Sequence, residues 1–230
     1  MNLSKKILAW YDNNKRILPW RISQKSRKNQ YYRVLSEFML QQTQVKTVIP
    51  YFNNFVKRIP NLKALSKSNE KKILKLWEGL GYYSRAKNLH KTSKILINSY
   101  NGQIPKSFEK LKELPGIGDY TANILLALIH NQPRIGIDGN VRRVVSRLFN
   151  TNNENVVNLF KTKRNADLAE ALMEFGALIC KPKDPRCYDC KIKKMCKYYK
   201  SGSKIKTEEK VKIKFKNYDV FCYLKKIKNK

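Results

Sequence analysis

Four cysteines near the carboxyl end of the chain are spaced as ligands of one inorganic centre. Cys180, Cys187, Cys190 and Cys196 follow the pattern Cys-x6-Cys-x2-Cys-x5-Cys. Four thiolates in one short loop suit a [4Fe–4S] cluster or a zinc ion, and the spacing alone leaves both open, with unpaired cysteines as a third possibility. Lysines and arginines surround these positions, so the loop is also expected to attract phosphate groups.

Two acidic residues stand in contexts that suit acid chemistry. Glu37 lies in an otherwise apolar helical segment, where burial would raise the pKa of its carboxyl as general-acid work requires. The alternative is an ordinary helical i−4 pair between Glu37 and Arg33 on the surface. Asp138 precedes a helical pattern and fits an N-cap. An ionised carboxylate at a helix N-terminus is also suited to stabilising a developing cation.

A glycine-containing turn opens another predicted helix. The segment Leu-Pro-Gly-Ile-Gly-Asp-Tyr-Thr-Ala occupies residues 114–122. Gly116 and Gly118 would let backbone N–H groups approach a phosphate at the helix N-terminus. The alternative is a plain helical hairpin whose glycines only permit the turn.

The elements that must position these residues are predicted to be helices, so the fold class is all-α. Apolar residues recur at helical spacing in eight segments: Leu3–Tyr11, Val34–Leu40, Val48–Phe55, Ile73–Leu80, Leu89–Ile97, Ile124–Ile129, Val141–Phe149 and Leu168–Ile179. Convincing alternation begins only after residue 210, in a lysine-rich tail that reads as one or two unpaired strands. That tail is either disordered by itself or the opening of a second domain.

The composition indicates a polyanionic partner. The 230 residues carry a formal net charge of +32, which is far more than solubility needs, so nucleic acid is the first candidate for the partner. The alternative explanation of the charge is a source whose proteins are generally basic. No segment approaches the roughly 18 consecutive apolar residues of a membrane span. The residues after Met1 form a polar amphipathic stretch rather than the hydrophobic core of a signal peptide. We therefore expect a cytoplasmic, nucleoid-associated protein that does not bind membranes, with its cysteines kept reduced.

In combination the motifs resemble the helix-hairpin-helix DNA glycosylase superfamily over about residues 3–200. Within it, four segments are similar to the adenine DNA glycosylase (MutY) family. These are Leu18-Pro19-Trp20-Arg21, Ser36-Glu37-Phe38-Met39-Leu40-Gln41-Gln42-Thr43-Gln44, Gly79-Leu80-Gly81-Tyr82-Tyr83-Ser84-Arg85-Ala86 and Ile137-Asp138-Gly139-Asn140-Val141.

The resemblance implies a two-lobed fold with DNA bent between the lobes. Residues 21–131 would form a six-helix lobe with the helix-hairpin-helix, and residues 1–20 plus 132–200 a second lobe with a [4Fe–4S] cluster on the four cysteines. Residues 201–230 would be a basic linker or the truncated start of a C-terminal domain. That domain reads 8-oxoguanine in the family and is matched here only by a strand-like stretch at residues 218–224. The interval from Asp138 to Cys180 is also short for the family.

The resemblance also implies roles for individual residues. Glu37 matches the acid that protonates adenine, Asp138 the carboxylate beside the sugar cation, and Tyr120 a residue that helps to position that centre. Related lyases carry lysine at the position of Tyr120, so no covalent lyase step is expected. Further positions match base-pocket, wedge or DNA-contact residues: Trp20, Arg21, Gln41, Gln42, Tyr82, Gly116, Gly118 and Asn140.

The predicted function is therefore a monofunctional DNA glycosylase of base excision repair. Its partner would be double-stranded DNA with adenine opposite 8-oxoguanine or guanine, bound by a monomer. One alternative is a superfamily glycosylase for another mispaired base, such as thymine opposite guanine. The others are a non-catalytic iron–sulfur DNA-binding protein and a zinc-bearing nucleic-acid chaperone.

Overall fold

The computed structural model describes residues 3–23 and 28–202, and the regular structure in this part of the chain is entirely helical. The prediction of an all-α fold is therefore confirmed. Two 3-10 turns, at Glu154–Leu159 and Lys193–Met195, accompany eleven α-helices. The helices are α1 Leu3–Asn14, α2 Asn29–Leu40, α3 Val45–Arg58, α4 Leu62–Lys67, α5 Glu70–Trp77, α6 Ser84–Tyr100, α7 Phe108–Lys112, α8 Asp119–His130, α9 Gly139–Phe149, α10 Asn165–Leu178 and α11 Lys197–Lys200.

Each of the eight predicted helical segments overlaps a helix of the structure, and each differs from it at one end or both. The largest overextension is at α5, which ends at Trp77 rather than Leu80. Gly79 and Gly81 follow with φ of +90° and +75°, a conformation that glycine adopts at little cost and that ends the helix. The helices α4, α7 and α11 were not predicted, because four to six residues hold too few apolar positions to show a period.

Two hydrophobic cores organise the described residues. The first is built by α2 to α8 around large buried side chains such as Phe38, Phe52 and Trp77. Leu18 and Trp20, which precede the predicted boundary at residue 21, also pack into this first core. The second is built by α1, α9 and α10 with the cysteine loop, around Trp10, Phe175 and their neighbours.

Helices α8 and α10 join the two cores. Ile124, Ala127 and Leu128 of α8 pack against Ala169 of α10 in a small cluster of their own. The small side chains of Ala127 and Ala169 let these two helices approach closely. None of the described helices is both long and apolar enough to cross a bilayer. The strand-like alternation after residue 210 and Cys222 lie outside the described residues.

Candidate active site and cysteine loop

Glu37 is a buried acid on the inner face of α2. Only 6% of the residue is exposed, and burial raises the pKa of its carboxyl to about 7. Arg33 and the nearby hydroxyl of Tyr120 counteract this rise, whereas the negative charges of Glu170 and Asp138 add to it. A carboxyl that is partly protonated at neutral pH can donate a proton, as a general acid must.

Arg33 does not pair with Glu37, although the two residues are one helical turn apart. Its Nη1 donates to Glu170 Oε1 at 2.6 Å and its Nε to Asn29 Oδ1 at 3.2 Å. Both Arg33 and Glu37 are buried. The alternative of a surface i−4 pair is therefore wrong, because a stronger acceptor reaches Arg33 from α10.

Tyr120 lies between the two candidate acids. It is the second residue of α8, it is partly buried, and its hydroxyl donates to Met173 Sδ on α10 at 3.4 Å. Burial, together with the nearby carboxylates of Glu37 and Asp138, raises the pKa of Tyr120 well above its ordinary value. The phenol is therefore a neutral hydrogen-bond donor at physiological pH, next to both carboxyl groups.

Asp138 is the N-cap of α9, as the sequence predicts. Its Oδ1 accepts from the Val141 backbone N–H at 2.7 Å, and its Oδ2 accepts from Asn140 Nδ2 at 2.9 Å. Arg143 in turn donates to Asn140 Oδ1 at 2.7 Å. Both oxygens of Asp138 are thus held in place at the N-terminus of α9.

The three predicted wedge residues lie together, held by an arginine. Arg85 Nη1 donates to the carbonyl of Gln41 at 2.5 Å, and its Nη2 donates to the carbonyl of Gly81 at 3.1 Å. These bonds join the turn after α2 to the turn before α6. Gln42 and Tyr82 both have positive φ, at 57° and 47°, and Tyr82 is 61% exposed with its ring over Arg85.

The glycine turn before α8 approaches α2 closely. Gly116 has a φ of +82°, and a Cβ there would lie 2.8 Å from Phe38 Cε1. Its carbonyl accepts from Gln41 Nε2 at 3.1 Å. Gly118 is the N-cap of α8 and has nothing near its Cβ position. The turn therefore leads into α8 beside the predicted wedge residues and is tied to them by the bond from Gln41.

The four clustered cysteines converge on one cavity in the second lobe. All four thiols line it together with apolar residues such as Phe175 and Ile192, and burial raises the pKa of Cys190 to about 11. Arg147 lies beside this centre, with Nη1 3.5 Å from Cys180 Sγ. A four-thiol donor set with an adjacent cation fits an iron–sulfur cluster. Within the described ranges, however, no three metal-binding side chains are gathered closely enough to hold a single ion.

Trp20 and Arg21 occupy different surroundings, although the sequence predicts both at the base pocket. Trp20 is buried in the first core, with its ring 5.3 Å from that of Phe52. Arg21 lines a cavity of about 330 Å³ whose wall also includes Tyr11 and Glu170. Trp20 is not part of the lining of that cavity. Its role as a pocket wall stays a prediction.

Comparison with known proteins places this geometry in a family. The family model of the HhH-GPD superfamily base excision DNA repair proteins matches residues 35–165, more than half of the chain. The chain belongs to this superfamily. It is 43% identical over 207 residues to an adenine DNA glycosylase of Buchnera aphidicola, covering 84% of this chain and 57% of that protein. An adenine DNA glycosylase of Mycolicibacterium smegmatis is 33% identical over 210 residues, covering 85% and 69% respectively.

A solved structure of a thermostable thymine-DNA glycosylase has the same fold. It superposes with a TM-score of 0.76 at 26% identity and covers 86% of this chain and 95% of its own. In contrast, the present chain spans only about 57% to 63% of the length of two of the adenine DNA glycosylases that it matches. It spans nearly the whole of the thymine-DNA glycosylase.

Two acidic residues at the junction of this superfamily member were not found by sequence reasoning. Glu170 accepts from Tyr11, Arg21 and Arg33, and Glu174 accepts from Arg16 and Arg21. We call these two glutamates with Arg16, Arg21 and Arg33 the arginine cluster. The available signal was two acids four residues apart in an otherwise apolar helix, the same pattern that marked Glu37.

Arg143 was also missed as a structural link. Its Nε donates to the carbonyl of Cys180 at 2.7 Å, and its Nη2 donates to the carbonyl of Gly176 at 2.8 Å. A Cβ on Gly176 would lie 2.7 Å from that of Asn140, so α10 approaches the start of α9 closely. A direct chain of hydrogen bonds therefore connects Asp138, through Asn140 and Arg143, to the cysteine loop.

Proposed function

We propose that this protein is a monofunctional DNA glycosylase that hydrolyses the bond between adenine and deoxyribose, where adenine is mispaired with 8-oxoguanine or guanine. The observation that carries the proposal is the buried Glu37 carboxyl, whose pKa lies at about 7 beside a second carboxylate at a helix N-terminus. Two carboxyls in different protonation states are what cleavage of a glycosidic bond requires.

The leaving base is the first difficulty of the reaction. Protonated Glu37 would donate its proton to adenine N7, so that the electron pair of the broken bond leaves with a neutral base. General-acid catalysis of this type contributes about 10²–10⁴-fold. Tyr120, a neutral donor next to Glu37, would hold the carboxyl in position. It would not form a covalent bond with the sugar. A lyase step through a Schiff base needs an amine, which Tyr120 does not provide.

The sugar cation is the second difficulty. Asp138, with both oxygens held by Val141 and Asn140, would stabilise the oxocarbenium-like centre as the bond breaks. A preorganised charge contact of this type contributes on the order of 3–4 kcal/mol. Water then adds to the sugar carbon and loses a proton to the surrounding solvent, which completes hydrolysis.

Reaching these groups requires extruding the nucleotide from the duplex, at a cost of a few kcal/mol. Gln41, Gln42 and Tyr82 would fill the gap left in the stack, and the Gly116–Gly118 turn would bind a phosphate through backbone N–H groups. Trp20, Arg21 and Asn140 would contact the extruded nucleotide or its strand. The net charge of +32 favours binding to duplex DNA, and we expect a monomer in the cytoplasm, associated with the nucleoid.

Cys180, Cys187, Cys190 and Cys196 would hold a [4Fe–4S] cluster, which when bound would fix the fold of the basic loop around it. We propose the division into a helix-hairpin-helix lobe at residues 21–131 and a cluster lobe at residues 1–20 plus 132–200. Residues 201–230 would begin a further domain or form a basic linker.

Strand scission on defined duplexes tests the proposed function. Labelled duplexes with adenine opposite 8-oxoguanine, adenine opposite guanine, thymine opposite guanine and an oxidised pyrimidine are incubated with excess protein, with and without alkali. Cleavage of the two adenine duplexes only after alkali is expected. Cleavage without alkali would contradict the monofunctional assignment, and no cleavage of any duplex would favour a non-catalytic DNA-binding protein.

A second candidate substrate is thymine opposite guanine. It is favoured by the fold match to a thymine-DNA glycosylase over 95% of that chain. The two substrates are separated by the same gel, because a thymine glycosylase would cleave the thymine–guanine duplex and spare both adenine duplexes. Adenine is preferred here because protonation of its ring nitrogen uses Glu37 directly.

A further inference from the structure

Arg33 is a buried cation one helical turn from the candidate acid, and it is held away from that acid from two sides. Residues four apart on a helix share a face, so its guanidinium could reach the Glu37 carboxyl. Instead Asn29 accepts from Arg33 Nε, one turn earlier on α2, and Glu170 accepts from Nη1 at 2.6 Å. The side chains of Arg33 and Glu170 are only 6% and 8% exposed, so water competes little for this pair.

Glu170 itself is held firmly by α1, α2 and the segment between them. Its Oε1 accepts from Arg21 Nε at 2.9 Å as well as from Arg33, and its Oε2 accepts from the Tyr11 hydroxyl at 2.8 Å. The Glu170 carboxylate is therefore a fixed negative charge with three donors. It has two effects on α2: it places a negative charge near Glu37, and it prevents Arg33 from turning to Glu37.

We propose that Glu170 is a positioning residue: by holding Arg33 in the Arg33–Glu170 pair, it keeps the Glu37 carboxyl protonated at neutral pH, and so available as an acid. This inference rests on the proposed function, because only a general acid would use the proton of Glu37. The protonation of Glu37 itself can be measured without that function. If Glu170 did not hold Arg33, the guanidinium of Arg33 could pair with ionised Glu37. Such an ion pair would favour loss of the proton that the reaction needs.

The charged and polar groups that act on Glu37 come from four segments of the chain. Arg33 on α2 favours its ionised form, and so does the hydroxyl of Tyr120 on α8. Glu170 on α10 and Asp138 before α9 favour its neutral form. The two members of the proposed pair therefore act in opposite directions, and removing either should shift the titration of Glu37 with a known sign.

Carboxyl ¹³C NMR of the full chain, labelled on glutamate, measures that titration without DNA. The Glu37 signal is assigned by its loss in Glu37→Gln. In Glu170→Gln the Glu37 midpoint should fall by about one pH unit or more, because Arg33 is released. In Arg33→Met the midpoint should rise, and in the double variant it should return towards that of the native chain. Arg164→Met, which removes a cation bonded to the exposed Asp12 and Asp167, is the matched control and should not move it.

Single-turnover excision of adenine across pH is the second measurement. The alkaline decline of the rate should move to lower pH in Glu170→Gln and to higher pH in Arg33→Met. Rates that fall in both variants with unmoved midpoints would indicate mere structural damage and overturn the inference. If Glu170→Gln does not fold, an unmoved Glu37 midpoint in Arg33→Met is sufficient to overturn it. NMR midpoints that move as expected in a protein that excises no base would support the inference and reject the proposed function instead.

Discussion

Two sets of buried glutamates at the same junction have opposite electrostatics. Glu37 on α2 is buried and its pKa is raised to about 7. Glu170 on α10 is equally buried, yet its pKa is lowered, because Arg33, Arg21 and a hydrogen bond from Tyr11 outweigh the effect of burial. Both residues stand in apolar helical segments, so burial alone does not distinguish them. What differs is that arginine side chains form ion pairs with Glu170 and not with Glu37 among the described residues.

The difference shows how one small interface can hold an acid and a structural ion cluster together. Three arginines serve Glu170 and Glu174, and none forms an ion pair with Glu37 among the described residues. Buried carboxylates that are fully paired cost little further free energy, whereas an unpaired one is protonated instead. The arginine cluster thus has a structural role, and Glu37 retains a proton that can be donated.

The largest expected effect is on chemistry at Glu37. Glu37→Gln keeps the shape of the side chain and removes its proton, so single-turnover excision should fall by about 10²–10⁴-fold at neutral pH. Binding to duplex DNA should persist, and the residual rate should lose the pH dependence that comes from Glu37. Quenched-flow excision and a gel-shift titration measure the two quantities. Excision within a few-fold of the native rate would remove Glu37 from the mechanism and end the contrast with Glu170.

The second expected effect is on stability at the arginine cluster. Glu174 is 1% exposed in its side chain and bonded to Arg16 and Arg21. Glu174→Ala removes one of two acidic partners from the buried Arg21 and the partner of Arg16, whose side chain is 37% exposed, and should cost about 3 kcal/mol in the free energy of unfolding. The matched control is Glu154→Ala, which breaks the exposed pair with Arg142 and should cost less than about 1 kcal/mol. Similar costs in urea unfolding would show that the cluster is not a structural centre.

The third effect is a pH dependence with a defined sign. The carboxyl of Glu37 ionises near 4.5 in the unfolded chain and at about 7 in the native one. The native state therefore binds the extra proton between these values, so stability declines as pH rises from 4.5 to 7 and is level above. Relative to Glu37→Gln the decline should be on the order of 3 kcal/mol. Unfolding of both chains at pH 5 and pH 8 measures it, and a constant difference would contradict the raised pKa.

The contrast also explains what the sequence could and could not predict. The helical period found the long helices, and an acid in an apolar segment marked Glu37. The same pattern at Glu170 and Glu174 on α10 was not read as functional, because nothing in the local sequence shows which distant arginines reach them. The alternative that paired Arg33 with Glu37 is wrong for the same reason: spacing along one helix favours Glu37, whereas the fold brings Glu170 within hydrogen-bond distance.

The turns near the site were predicted only in part. Gly116 and Gly118 marked the turn before α8, but their different surroundings depend on α2 packing against that turn. Arg85 and Arg143 each bond to backbone carbonyls of other segments. Contacts with backbone carbonyls leave no pattern in residue type, so the sequence assigns neither arginine a role, although Arg85 lies in one of the segments that resemble the adenine DNA glycosylase family.

The smallest expected effect separates the two glycines of the turn before α8. Gly116→Ala places a Cβ 2.8 Å from the ring of Phe38, the residue next to Glu37, at a φ of +82°. Overpacking and the strained backbone should cost about 1–3 kcal/mol in unfolding free energy. The strain falls on α2 and on Asn88 of α6, whose Cβ would be 2.9 Å away, so the excision rate should also drop while the ion pairs of the arginine cluster stay intact. Gly118→Ala meets no atom within 4 Å and should cost less than about 1 kcal/mol as a weaker N-cap. Thermal unfolding and single-turnover excision of both variants test this order. Because the two substitutions add the same methyl group to one turn, equal losses would mean that contact with α2 is irrelevant, and that the acid at Glu37 is not positioned by the turn.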